Sequence, residues 1–199
     1  MADYTKTQGI SLIDHKSITH PAKEISAVQT LTGNLAATIV MYYAPVENAA
    51  NTNPGSFLVQ VSPVSSGNED WVTIEEHITP SGTPATEALS GSESDDSLAV
   101  ASTSGFAARD VIYIQDTTTL ADSEWADVWQ IVTDSSINLL SNLTTAKDSA
   151  DVIWGSARRF ITHLNLTAIV RVRVVFAHGG AAGIDAHIKA LMITGDSIG

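Results

Sequence analysis

The chain has 199 residues and a formal net charge of −12, with 44% hydrophobic and only 16% charged residues. Its acidity argues against a basic nucleic-acid face and against an anionic membrane surface, so neither is expected as a partner. The absence of cysteine excludes disulfides, zinc–thiolate sites and thiol catalysis.

The start, Met1-Ala2-Asp3-Tyr4-Thr5, lacks a basic then apolar leader pattern, so no secretory signal is expected. Residues 1–20 read as an N-terminal arm, with a first strand beginning at Gly9-Ile10-Ser11-Leu12-Ile13. Glu24 to Leu31 alternates as a strand, and Ala36 to Tyr43 (AATIVMYY) is continuously apolar, which predicts a central strand buried on both faces and ended by Pro45. Asn48 to Gly55 is a loop. Ser56 to Pro63 is a strand with Phe57, Val59 and Val61 on one face, and a turn at residues 65–68 leads to a strand over Trp71 to Ile78. Thr79 to Ser97, rich in Pro, Ser, Gly and Thr, reads as a linker.

Residues 92–157 read as an inserted domain of short strands at 98–101, 110–115, 124–133, 136–140 and 151–154. This segment holds eleven acidic residues and two basic ones, Arg109 and Lys147, which places about −9 of the −12 there. Beyond it the charge turns basic, and Phe160 to Thr167 forms a further strand. Val170, Val172, Val174 and Phe176 then alternate with Arg171 and Arg173, and Ile184, Ala186, Ile188, Ala190 and Met192 alternate with Asp185, His187 and Lys189. The link His178-Gly179-Gly180-Ala181-Ala182-Gly183 tolerates positive φ, so these two strands are expected to pair as a hairpin. The fold class is all-β: an antiparallel sandwich of residues 10–88 and 158–199, with a small barrel of residues 92–157 inserted.

The residues point to no catalytic centre, cofactor or metal site. The histidines (His15, His20, His77, His163, His178, His187) show no metal-ligand spacing; His163, His178 and His187 share the C-terminal strand group, where they could converge, and satisfied or surface histidines are the better reading. Carboxylates cluster at Glu69-Asp70, Glu75-Glu76, Asp95-Asp96 and Asp116…Asp122-Ser123-Glu124. Adjacent pairs on a strand face opposite ways and the last group matches no calcium loop, so these read as solvated charge. Trp71, Trp125, Trp129 and Trp154 would serve a sugar-binding module if exposed. Trp125 and Trp129 are four apart, which predicts a shared face, and barrel-core packing is the expectation. Asn142-Leu143-Thr144 and Asn165-Leu166-Thr167 match an N-glycosylation pattern that has no meaning without a secretory route.

The run Ser104-Gly105-Phe106-Ala107-Ala108-Arg109-Asp110-Val111-Ile112-Tyr113-Ile114 resembles a strand motif of small β-barrel modules in tailed-phage structural proteins. The stretches 124–131, 136–140 and 148–154 continue it. It departs at Arg109, where glycine is usual, and at Lys147 with Ser149-Ala150, where histidine and glycine are usual. The flanking segments are similar, more loosely, to jelly-roll-like virion proteins ending in sequences of the type Ala190-Leu191-Met192-Ile193-Thr194-Gly195-Asp196-Ser197. The resemblance implies a non-enzymatic virion protein, a capsid cement or decoration protein. It would assemble as a homo-oligomer, expected to be a trimer, on the major capsid protein, using residues 1–20 and the basic C-terminal hairpin as contacts. Other head–tail or tail components, and a carbohydrate- or receptor-binding module, are the alternatives.

Overall fold

A computed structural model of the chain describes residues 9–19, 21–31, 34–47, 49–67, 70–91, 93, 95–179 and 185–196. Its strands are β1 (Ile10–Thr19), β2 (Lys23–Ile25), β3 (Gln29–Thr30), β4 (Asn34–Pro45), β5 (Ser56–Ser62), β6 (Val72–Ile78), β7 (Thr86–Ala88), β8 (Ser97–Ala99), β9 (Val111–Gln115), β10 (Glu124–Val132), β11 (Ser136–Leu139), β12 (Val152–Asn165), β13 (Arg171–Ala177) and β14 (Asp185–Asp196). One 3-10 turn, η1 (Leu120–Asp122), interrupts them, and there is no α-helix among the described residues. The fold is all-β, as expected. Its two antiparallel sheets face each other as a sandwich.

The large sheet runs β1-β14-β4-β12-β9-β10-β11-β8, with β7 also on β12; the small sheet runs β2-β13-β5-β6, with β3 also on β13. Between them lies a core of alternate side chains: Ile39, Met41 and Tyr43 from β4, Phe57 and Val59 from β5, Val174 and Phe176 from β13, and Ile188 and Met192 from β14. Period-two patterning supplies one apolar face per strand, and the two faces meet here.

Several expectations change. β13 and β14 do not form a hairpin: β13 pairs with β5, β2 and β3 in the small sheet, and β14 pairs with β1 and β4 in the large one. The chain therefore crosses from one layer to the other. Gly179 allows the crossing by close approach, since a Cβ there would sit 2.1 Å from the Pro54 carbonyl oxygen. From Ile10 onward the expected arm is strand β1, paired along β14; residues 1–8 lie outside the described residues. Glu24 to Leu31 is broken into β2 and β3, which share β13. On β4 the odd-numbered face is buried, whereas on the other face Val40 and Tyr42 are half-buried and Ala44 alone is fully buried among the described side chains.

The expected linker carries β7, which pairs with Val152–Trp154. The strands read at 151–154 and from Phe160 are one continuous β12, kinked between Trp154 and Ala157, where Ser156 takes φ 58°. A bulge of this kind turns a strand without ending it. The first part of β12 pairs with β9 and the second, from Arg158, with β4, so one strand serves both halves of the molecule.

Strands β7 to β11 and the first part of β12 curl around a second core of Leu98, Phe106, Ile112, Ile114, Val128 and Ile153. The curl does not close into the expected barrel: β7 and β8 meet only beyond their ends, at the single bridge Leu89–Val100.

Candidate functional site

The strongest concentration of polar and aromatic side chains lies where the curled part of the large sheet packs on the outer face of the sandwich. β9 is buried on both sides. Ile112 and Ile114 point into the second core, whereas Tyr113 points away from it, into a separate cluster with Ala44, Trp154 and Ala157. β1 presents His15 at an irregularity between Ile13 and Lys16, and β14 presents His187. The Tyr113 hydroxyl lies 2.9 Å from Nε2 of His15 and 2.6 Å from Nδ1 of His187. Trp125 covers the group, with ring centroids 4.8 Å from His15, 4.6 Å from Tyr113 and 5.3 Å from Tyr42. Its indole N–H donates to the Tyr43 carbonyl at 3.1 Å.

Burial disfavours charge here. It lowers His15 to about 4, assisted by His187 and Lys189, and lowers His187 to about 4 against the opposing pull of Asp185. Burial raises the Tyr113 phenol well above its usual range. At neutral pH all three groups are uncharged.

Two small cavities flank Trp125. One, of about 220 Å³, is lined by Glu124, Asp127, Leu140, Asn142 and Arg159 beside the indole. The other, of about 250 Å³, lies between Tyr42, Ser123, Thr144 and Lys189. Arg159 is paired with Asp127 at 3.0 Å and lies over the Tyr42 ring. The lining offers donors, acceptors and ring faces suited to a small polar ligand. Within it the Thr144 hydroxyl donates at 2.9 Å to the Glu124 carboxylate, which is already paired with Lys147.

The C-terminal histidine trio is not gathered. His187 meets His15 instead, His163 bonds the Thr38 hydroxyl at an exposed position, and His178 packs edge-on to Phe176. His77 stacks on Phe160 and bonds the Thr162 hydroxyl, while His20 lies outside the described residues. Among the described residues no three histidines or carboxylates are grouped to hold a metal ion. Asp116 is engaged by its own loop: the Thr118 hydroxyl and the Thr119 N–H hold its carboxyl below the usual range. Glu124 pairs with buried Lys147 at 3.0 Å, and Glu75 lies 3.5 Å from His77. Asp95 and Asp96 bear backbone carbonyls that take N–H groups from Leu143 and Leu139; Glu69 lies outside the described residues.

The tryptophans do not share a face or fill the second core. A register shift between Val128 and Gln130 separates Trp125, at the joint, from Trp129, which is 65% exposed. Trp154 lies in the joint, and Trp71 takes Arg171 and Arg173 against its ring, at 4.9 and 4.3 Å. Arg171 is thus buried, whereas Arg173, bonded to Gln60 and stacked on Trp71, stays half-exposed.

No family model and no curated protein matches the chain. Among solved structures it is similar to the infectious bursal disease virus Gx strain (8% identity, TM-score 0.26), and to T=1 particles derived from infectious bursal virus (9%, 0.27). In both, the match covers 98% of this chain and 41% of the other. So loose a likeness assigns no family or activity. No helix among the described residues is long and apolar enough to cross a membrane.

Proposed function

We propose that this chain is a non-enzymatic structural protein of a virion, a cement or decoration protein that binds a lattice of the major capsid protein as a homotrimer. In this reading residues 10–88 and 158–199 form the binding sandwich and residues 92–157 an acidic unit facing solvent.

The observation that carries the proposal is β6. This edge strand of the small sheet exposes Val72 (57%), Ile74 (46%) and Ile78 (63%) within seven residues. Edge strands are ordinarily blunted by charge, proline or a bulge; this one has Glu75, Glu76 and a register shift at Ile74, yet it still leaves three aliphatic side chains exposed. Three aliphatic side chains beside a strand edge that pairs with no other strand among the described residues suit a protein partner. The uncovered part of the large sheet adds Ile161 and Ile193, flanking the half-buried row of Val40 and Leu191.

The test is light scattering and co-sedimentation with capsids, comparing the protein with the variant Val72→Thr/Ile74→Thr/Ile78→Thr. A trimer that co-sediments, and a variant that folds but loses either property, is the expected result. A monomer indifferent to the substitutions overturns it. The second reading, a carbohydrate-binding module, draws on exposed Trp129 and the cavity beside Trp125; binding of a glycan by the monomer, lost in Trp129→Ala or Asn142→Ala, would establish it.

A further inference from the structure

We propose that His15, Tyr113 and His187 form a proton-operated latch: protonating an imidazole of the cluster releases the curled unit from the outer face of the sandwich while both apolar cores stay folded. The inference does not depend on the virion reading.

The three residues come from three strands, β1, β9 and β14, and only Tyr113 belongs to the curled unit. A phenol carries one proton, so its hydroxyl donates to one imidazole and accepts an N–H from the other. Both bonds exist together only while the accepting ring is neutral. Once that ring is protonated, two hydrogens face each other across 2.6 or 2.9 Å, and the hydroxyl must turn away from that imidazole toward Ser123, which gives up the bond across the joint to β1 or β14.

Of the neighbouring charges only Asp185 favours an imidazolium. On β14, Asp185 favours charge on His187, whereas Lys189 opposes it on His15. On β1, Asp14 takes the Ser11 hydroxyl and Lys16 pairs with Glu24. Glu124 on β10 is held by Lys147, Asp116 after β9 is held by its own loop, and β4 contributes only Tyr42. No carboxylate among the described residues is hydrogen-bonded to either ring. His187 is only 6% exposed, so a charge there is poorly solvated.

The joint is also the weakest apolar contact. Among the described residues its cluster has four buried members, against ten in the curled unit and twenty in the sandwich. The units are joined through the kink of β12 at Gly155-Ser156 and the segment before β7, which lie side by side, with the Gly155 N–H donating to the Ala85 carbonyl at 2.8 Å, so that the two connections share one hinge line. Electrostatic loss at one small joint thus precedes loss of either core.

Because the chain has no cysteine, exposed Ser65→Cys and Ser135→Cys place one dye on each unit for energy transfer. The expected result is a fall in transfer between pH 6.5 and 4 at unchanged far-ultraviolet circular dichroism, absent when His15→Gln and His187→Gln are added. In the protein with native histidines, NMR titration of the two rings should coincide with that fall. Constant transfer down to pH 4 overturns the latch, as does transfer lost only together with the circular dichroism signal. Ring protonation without a change in transfer does the same, and so decides the matter if the glutamine variant does not fold.

Discussion

Arg171 in the sandwich and Lys147 in the curled unit are both buried cations that hold a loop in place, and they do so by different chemistry. Among the described residues Arg171 is paired with no carboxylate. Its guanidinium donates to the carbonyls of Val64 (2.6 Å), Gly67 (3.0 Å) and Ser66 (3.1 Å) and to the Ser62 hydroxyl (3.1 Å), gathering the turn after β5 under the Trp71 ring. Lys147 is a point charge with a counterion: it pairs with Glu124 and donates to the Asp122 carbonyl and the Thr145 hydroxyl. A planar fork can satisfy scattered neutral acceptors, whereas a buried ammonium needs a partner of opposite sign. The two halves of the molecule therefore differ in what a single substitution leaves behind.

The largest effect is expected at Arg171. Arg171→Met removes four hydrogen bonds that hold the turn at residues 64–67, which should cost about 3–4 kcal/mol in urea denaturation. Arg171→Lys should recover little, because one ammonium cannot span the same acceptors. A fully rescued Arg171→Lys protein would break the comparison.

At Lys147 the loss depends on the partner. Lys147→Met strands the mostly buried Glu124 carboxylate and should cost about 2–3 kcal/mol. Adding Glu124→Gln to that variant should restore part of it, giving a coupling energy above about 1 kcal/mol in a double-mutant cycle. Additive losses would mean that Lys147 acts through packing alone.

The joint between the halves should reveal itself through pH. An unfolded chain takes up protons on His15 and His187 near 6.5, whereas burial delays this in the folded chain to about 4. Unfolding thus binds protons in that window, so stability falls as pH drops from 6.5 to 4, then levels as far as these two groups are concerned. The urea midpoint of the protein should move with pH there, and that of His15→Gln/His187→Gln should move much less.

How far these features could be read beforehand follows from what local patterning encodes. Phe57, Val59 and Val61, or Ala186, Ile188, Ala190 and Met192, declare a buried face because the period of two is local. The partner strand is not local. The glycines after His178 suit a hairpin turn as well as a crossing, and only the nearness of Pro54 distinguishes the two. His187 stands between Asp185 and Lys189 in a row that reads as wet. It is dry because Tyr113 comes down on it from a strand far away in sequence. The one available signal was β9 itself: Val111-Ile112-Tyr113-Ile114 has no polar face, and a strand without one must be covered on both sides.

Arg109 offers the smallest and most local test. It stands where the resembling modules carry glycine, and its φ of 74° is the left-handed conformation that glycine adopts freely. The turn is made nonetheless, with the Arg109 N–H donating to the Val128 carbonyl at 2.8 Å, and the side chain is exposed. Strain is then the main native cost of this residue, partly offset because glycine makes the unfolded chain more flexible. Arg109→Gly should raise the urea midpoint by the equivalent of about 0.5–1 kcal/mol, and Arg109→Ala should not, since alanine keeps the Cβ that causes the strain. Equal effects of the two would locate the gain in the lost guanidinium rather than in the backbone.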